Sequence, residues 1–151
     1  SEILQALEKA REIDPRILVE EGLEVREIEC GIIGNSELLT SEIGEVNYES
    51  DWYDYDSKYH SNNKIIIPAE IDSKITKEIK EIAIQSCRAL NIFGFARVDF
   101  FLEKSSNKIL LNEINTIPGF TKNSMFPMLW KASGLNIEQL VAKLVDISLD
   151  L

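Results

Sequence analysis

Two short runs constrain the fold more than anything else in the chain: Ala96-Arg97-Val98-Asp99-Phe100-Phe101 and Leu110-Leu111-Asn112-Glu113-Ile114-Asn115. Each alternates apolar with charged or amide side chains, the period of a β-strand with one buried face. Between them lies Lys104-Ser105-Ser106-Asn107-Lys108, a polar turn of hairpin length. Centring the hairpin near Ser106 pairs Asp99 with Glu113 and Arg97 with Asn115. Side chains two apart on a strand share a face, and so do cross-strand partners. Two carboxylates, one amide and one guanidinium therefore converge on one face. Val98, Phe100, Leu110 and Ile114 hold the other. A slip of one residue would separate the constellation.

Asp99, Glu113 and Asn115 offer hard oxygen ligands, joined by no histidine or cysteine. That set suits Mg²⁺ or Mn²⁺ and argues against structural zinc. Mg²⁺ is held by one or two carboxylates plus substrate phosphates, so this few protein ligands imply a nucleotide supplying the rest. Glu113, central in the set, could bridge two ions. Arg97 beside them would clamp a transferring phosphoryl group. The competing reading is an exposed ion pair of Arg97 with Asp99 or Glu113, which would stabilise little. The spacing, and the Pro118-Gly119 turn that follows, weigh against it.

The chain has 151 residues, one domain's worth, with 44% hydrophobic and 28% charged residues. The formal charge of −10 argues against nucleic acid and anionic membranes as partners, since both reward clustered lysine and arginine. No apolar run approaches the roughly 20 residues of a membrane span, and no signal-peptide pattern opens the chain. Cys30 and Cys87 lack metal-like spacing and read as buried free thiols, which fits a reducing, cytoplasmic setting.

Residues 1–14 read as a helix with Ile3, Leu4, Leu7 and Ala10 on one stripe, stopping before Pro15. Residues 17–19 make a short β run, and Gly22 permits a turn or close backbone approach. Residues 25–33 form a strand; residues 37–40 and 43–46 form two more with a turn at Gly44. Residues 48–63 are aromatic, acidic and aperiodic, a loop of functional length. In it Trp52 and the only histidine, His60, read as a packing and a surface residue. Residues 64–67 form a strand ending at Pro68. Asp72 or Ser73 caps a helix whose buried stripe is Ile75, Ile79, Ile82, Ala83, Cys87 and Leu90. Residues 124–132 and 136 onward give two further helices. The last carries a capping box at Asn136 and Gln139, with Ile137, Leu140, Val141, Leu144 and Leu149 facing the core.

The run Ala-Arg-Val-Asp-Phe-Phe at 96–101, followed by Asn-Glu-Ile-Asn-Thr-Ile-Pro-Gly-Phe-Thr at 112–121, closely resembles the D-alanine–D-alanine ligases of the ATP-grasp superfamily. The likeness extends to Ser124-Met125-Phe126-Pro127, to Tyr53-Asp54-Tyr55-Asp56-Ser57-Lys58-Tyr59 and to Val19-Glu20-Glu21-Gly22. It implies an α+β fold, the ATP-grasp C-terminal domain, with a mainly antiparallel sheet flanked by helices. Residues 1–23 would be the end of the central subdomain with the adenine hinge, and 24–151 the catalytic domain. The N-terminal domain that binds the first D-alanine is expected to be missing from this chain.

The resemblance also implies roles. Glu20, Gly22 and Leu23 would meet adenine, Glu27 the ribose, and Lys58 the phosphates of ATP. Asp99, Glu113 and Asn115 would hold two Mg²⁺ or Mn²⁺ ions. Arg97 and the Gly119 N–H would stabilise the oxyanion of the tetrahedral intermediate. Tyr59 would close over the second amino acid, and Ser124 would receive its carboxylate. The implied activity is ATP-dependent ligation of two D-alanines through an acyl phosphate, for cell-wall peptidoglycan precursors, in a cytoplasmic enzyme that is a homodimer at full length. This chain alone would have little activity. D-serine or D-lactate as second substrate is the nearest alternative, although Tyr59 and Met125 favour D-alanine. A nucleotide-binding module without catalysis of its own is another.

Overall fold

The computed structural model describes residues 2–47 and 64–150. The expected loop at 48–63, with Trp52, Lys58, Tyr59 and His60, lies outside the described residues. The elements are α1 (Glu2–Arg11), β1 (Val25–Gly34), β2 (Leu38–Asn47), β3 (Lys64–Ile66), α2 (Ser73–Ala89), β4 (Gly94–Glu103), β5 (Ile109–Asn115), α3 (Met125–Ala132) and α4 (Ile137–Leu149). The strands form one sheet in the order β3-β2-β1-β4-β5, every neighbouring pair antiparallel. This is the expected α+β architecture.

Period-2 alternation gives the sheet two chemically different faces. On one, Ile28, Cys30 and Ile32 of β1 and Val98, Phe100 and Leu102 of β4 are buried beneath α2, which contributes Ile79, Ala83 and Cys87. Those three recur every four residues, so they form one stripe along the helix. Each fully buried aliphatic or aromatic side chain here contributes about 1.5–3 kcal/mol relative to exposure. Asp72 starts α2 by accepting the Lys74 N–H at 2.8 Å.

On the other face the helices cover only one end. Ile33 is buried there with Phe126, Trp130 and Leu140, and Phe95 and Phe120 pack against them. α3 sits directly on the sheet because two glycines leave room for it. A Cβ at Gly31 would stand 2.7 Å from Trp130 Nε1, and one at Gly44 would stand 2.8 Å from Leu129 Cδ2. Among the described residues no helix covers the remainder of this face, which carries the polar residues of β1, β4 and β5.

Several sequence expectations change. Residues 17–19 are not a strand: no β partner reaches them, and Leu18 and Val19 are exposed. Gly44 makes no turn; β2 runs unbroken through it, and the chain reverses at Gly34-Asn35-Ser36-Glu37 instead. α1 buries none of its residues. Leu90 follows the end of α2 and is exposed, and Val141 and Leu149 of α4 are exposed while Leu140 is buried. The hairpin pairs Asp99 with Glu113 and Arg97 with Asn115, as the spacing predicts. Beyond Asp99 the register shifts, so Phe100 faces Leu111 and Asn112 is the extra residue of a bulge. Leu110 therefore lies opposite Phe101 rather than Leu102, and leaves the face of Val98, Phe100 and Ile114 on which the spacing placed it.

Candidate active site

The open part of the sheet is a grid. In its central row Glu29 of β1 faces Asp99 of β4, which faces Glu113 of β5. On one side of that row Gly31, Arg97 and Asn115 are aligned; on the other, Glu27, Phe101 and Leu110. Cross-strand neighbours have Cβ atoms about 4.5–5.5 Å apart, so three carboxylates in one row repel each other unless a cation intervenes. Arg97 intervenes. Its Nε donates to Asp99 Oδ1 and its Nη2 to Asp99 Oδ2, both at 2.7 Å. The same Nε lies 2.9 Å from Glu29 Oε2. The side chains of Arg97, Glu29 and Asp99 are only 18%, 12% and 12% exposed, so this cluster is shielded from water.

That shielding sets the electrostatics. Burial pushes the Asp99 carboxyl above its ordinary range; the Arg97 hydrogen bonds pull it down, and Glu113 pushes it up again. Burial also works against the charge of Arg97. The hydrogen bond to Asp99 and the charges of Glu29, Asp99 and Glu113 outweigh it and hold the guanidinium protonated. Among the described residues, Arg97 is the cation that the ion-pair distances place at this row. Glu113 is exposed at the open edge, where a further cation can reach it.

β5 leads into the rest of the site. Asn115 Oδ1 accepts the Ile117 N–H at 3.1 Å, a local turn that fixes the amide oxygen at the strand's end. The chain then passes through Pro118 to Gly119. A Cβ at Gly119 would stand 3.0 Å from Ser124 Oγ, so the backbone and that hydroxyl are close neighbours. Ser124 occupies the N-cap position of α3 without capping it. Its Oγ instead accepts the Thr121 N–H at 3.0 Å and pairs with Thr121 Oγ1 at 2.8 Å. Without that side-chain cap, the first turn of α3 retains N–H groups suited to an anion. Met125, next in the chain, is buried with its sulfur toward Gly44 of the sheet. It serves as packing there.

Beside the carboxylate row lies a cleft of about 480 Å³, the size of a small-ligand site. Glu20, Glu21 and Leu23 form one wall, Val25, Glu27 and Phe101 the floor, and Asn112 and Glu113 the far end. Glu20, Leu23, Glu27 and Glu113 thus meet at one cavity, with Asp99, Arg97 and Asn115 in the adjoining rows. Gly22 lies on the wall segment, with nothing within 4 Å of where a Cβ would stand. Lys58 and Tyr59 lie outside the described residues. Among the described residues no group of three or more His, Cys, Asp or Glu could hold a metal ion by itself. The all-oxygen donors and the buried Asp99 fit a divalent cation whose remaining ligands come from a phosphate-bearing molecule.

Sequence reasoning missed Glu29. Its alternation with Ile28 and Cys30 is visible in the sequence. Its place opposite Asp99 is not, because that depends on β1 pairing with β4 across some 70 residues of chain.

Residues 1–146 match the profile of a protein family described as the D-ala D-ala ligase C-terminus. The chain is 94% identical over its full length to a D-alanine–D-alanine ligase of Prochlorococcus marinus strain MIT 9215, and it spans 42% of that ligase. Among solved structures it is similar to the VanG D-Ala:D-Ser ligase of Enterococcus faecalis, at a TM-score of 0.85 and 39% identity, covering 97% of this chain and 43% of that one. It is also similar to the D-alanine–D-alanine ligase of Coxiella burnetii, at a TM-score of 0.83 and 36% identity, covering 99% and 39% respectively.

Proposed function

The chain belongs to the D-ala D-ala ligase C-terminus family, and from that premise we propose that it carries the nucleotide- and cation-binding part of an enzyme that joins two D-alanines using ATP. The single observation that carries this reading is the Glu29–Asp99–Glu113 row beside the nucleotide-sized cleft. We assign residues 1–23 to the end of the central subdomain and 24–151 to the catalytic domain. The product, D-alanyl-D-alanine, would serve cell-wall precursor synthesis.

The reaction has two steps. The carboxylate of the first D-alanine takes the γ-phosphoryl group of ATP, giving an acyl phosphate and ADP. The neutral amine of the second then attacks the acyl carbon, and phosphate leaves as the peptide bond forms. Asp99, Glu113 and Asn115 are the residues that would hold Mg²⁺ or Mn²⁺. Divalent cations bound there would neutralise the phosphate oxygens during transfer.

Within this scheme Glu20 and Leu23, which line the cleft, and Gly22 between them in the chain would meet adenine, and Glu27, also in the lining, would accept from a ribose hydroxyl. Arg97 presents its charge one row from Asp99 and Glu113 and opposite Asn115. It and the Gly119 N–H suit the oxyanion that develops on the acyl carbon. Ser124 Oγ and the first turn of α3 suit the carboxylate of the second amino acid. Lys58 and Tyr59 are assigned by their motif alone, to the phosphates and to closure over the second substrate.

The test replaces the matching segment of the 94%-identical full-length ligase with this chain. We expect ATP-dependent D-alanyl-D-alanine formation, reduced at least 100-fold by Glu113→Gln; unchanged turnover in that variant would contradict the cation role. The likeness to a D-Ala:D-Ser ligase supports a second reading, with D-serine as acceptor. Competition between D-alanine and D-serine decides it, and preferential D-serine incorporation would replace our assignment.

A further inference from the structure

Glu29 belongs to the carboxylate row but has been given no role of its own in the reaction, and its Oε2 lies 2.9 Å from Arg97 Nε. We propose that Glu29 is the positioning residue for Arg97, taking over its guanidinium when Asp99 turns to a divalent cation. The inference deepens the reading under Proposed function and rests on it for the role of Arg97.

The geometry poses a conflict that Glu29 resolves. Arg97 uses both Asp99 carboxylate oxygens, each at 2.7 Å. A cation arriving at Asp99 needs at least one of them and repels the guanidinium as well. If Asp99 were the sole anchor, cation binding would release Arg97 at the moment its charge is needed. Glu29 stands directly across β1 from Asp99, with Oε2 2.9 Å from Arg97 Nε. Nε has one proton, and it is directed at Asp99 Oδ1. Glu29 is therefore an ion-pair partner in the present arrangement, placed to accept that proton once Asp99 lets go. Transfer needs only a small rotation of the guanidinium, because the two acceptors flank the same atom.

Glu29 and Arg97 are also both largely buried, so the pair is weakly screened and the charge of Glu29 acts strongly. Across the row from Arg97 on β1 stands Gly31, which offers no side chain to hold or obstruct it. The anchoring task on the β1 side falls to Glu29.

The test uses the full-length ligase carrying this segment. Glu29→Gln keeps the shape and removes the charge. Outer-shell partners of this kind change activity by about 10–100-fold. We expect kcat to fall at least tenfold with the KM for ATP within about twofold, partial recovery in Glu29→Asp, and no further loss from Glu29→Gln when Arg97 is already lysine. A merely structural role would lower the melting temperature and give the same fold-loss in both backgrounds.

A second readout does not need turnover. With ¹⁵Nε-labelled arginine, the Arg97 Nε–H signal, identified by its loss in Arg97→Lys, should stay protected from exchange after Mg²⁺–ADP is added to the parent. In Glu29→Gln it should be protected before the addition and lost after it. Unchanged protection in Glu29→Gln with Mg²⁺–ADP, or a kcat within twofold of the parent, overturns the proposal. If the parent itself makes no dipeptide, the functional reading fails, and the Nε–H experiment still decides the role of Glu29.

Discussion

Cys30 of β1 and Cys87 of α2 are buried in the same core, and burial shapes how they titrate. It pushes the Cys30 thiol from its ordinary 9.0 up to about 12 and the Cys87 thiol up to about 11. Well below pH 9 both thiols are protonated whether the chain is folded or not, so they add no pH dependence there. Above it the unfolded chain gives up protons that the folded chain keeps, and stability falls as pH rises toward about 12. Urea midpoints at pH 8 and 10.5 should therefore diverge more for the parent than for a Cys30→Val, Cys87→Val double variant. Equal slopes in the two proteins would contradict this. The same burial predicts that neither thiol reacts with an alkylating reagent at pH 8 until urea unfolds the chain. At this scale the sequence was most informative about chemistry. Asp99, Glu113, Asn115 and Arg97 were readable because they break the apolar pattern of a strand locally. Glu29 was not, because its significance comes from a strand partner far away in the chain.

At the scale of elements, α3 is anchored over Gly31 and Gly44, and its Phe126 and Trp130 cluster with Ile33, Phe95 and Phe120 on one part of the face. Gly31→Ala places a methyl group 2.7 Å from the buried Trp130 ring. Overpacking of this kind costs about 1–3 kcal/mol, which a lowered urea midpoint with an unchanged m-value would report. No loss of stability would mean that α3 is not seated as described.

At the other edge Arg26 donates to both Glu45 oxygens, at 2.8 and 2.7 Å, and to the Glu70 carbonyl at 3.1 Å. This clip ties β1, β2 and the segment before α2 together. Glu45→Gln should cost about 2 kcal/mol, the range of a hydrogen bond to a charged group. Helix and strand identities were legible from periodicity and caps: the Asn136–Gln139 capping box forms with both of its hydrogen bonds. What failed were judgements that need a partner. Residues 17–19 have β-forming side chains but no strand beside them. Gly44 signals a turn in isolation and is a landing place for a helix in the fold. The Asn112 bulge, invisible in the alternation, moves Leu110 to a different neighbour.

For the whole molecule, the carboxylate row and the cleft beside it are the parts to which we assign cation and phosphate binding. The chain spans 42% of the relative it matches at 94% identity. We predict that the 151-residue chain alone forms no dipeptide above its Glu113→Gln variant, and that the full-length ligase carrying it does.

The most direct test of the central claim is Mn²⁺ binding to that full-length ligase, followed by electron paramagnetic resonance with and without ATP. Tightly bound Mn²⁺ is expected only when ATP is present, since the protein supplies few of the ligands, with at least a tenfold weakening in Glu113→Gln. Equal Mn²⁺ binding by the parent and Glu113→Gln in the presence of ATP would contradict it.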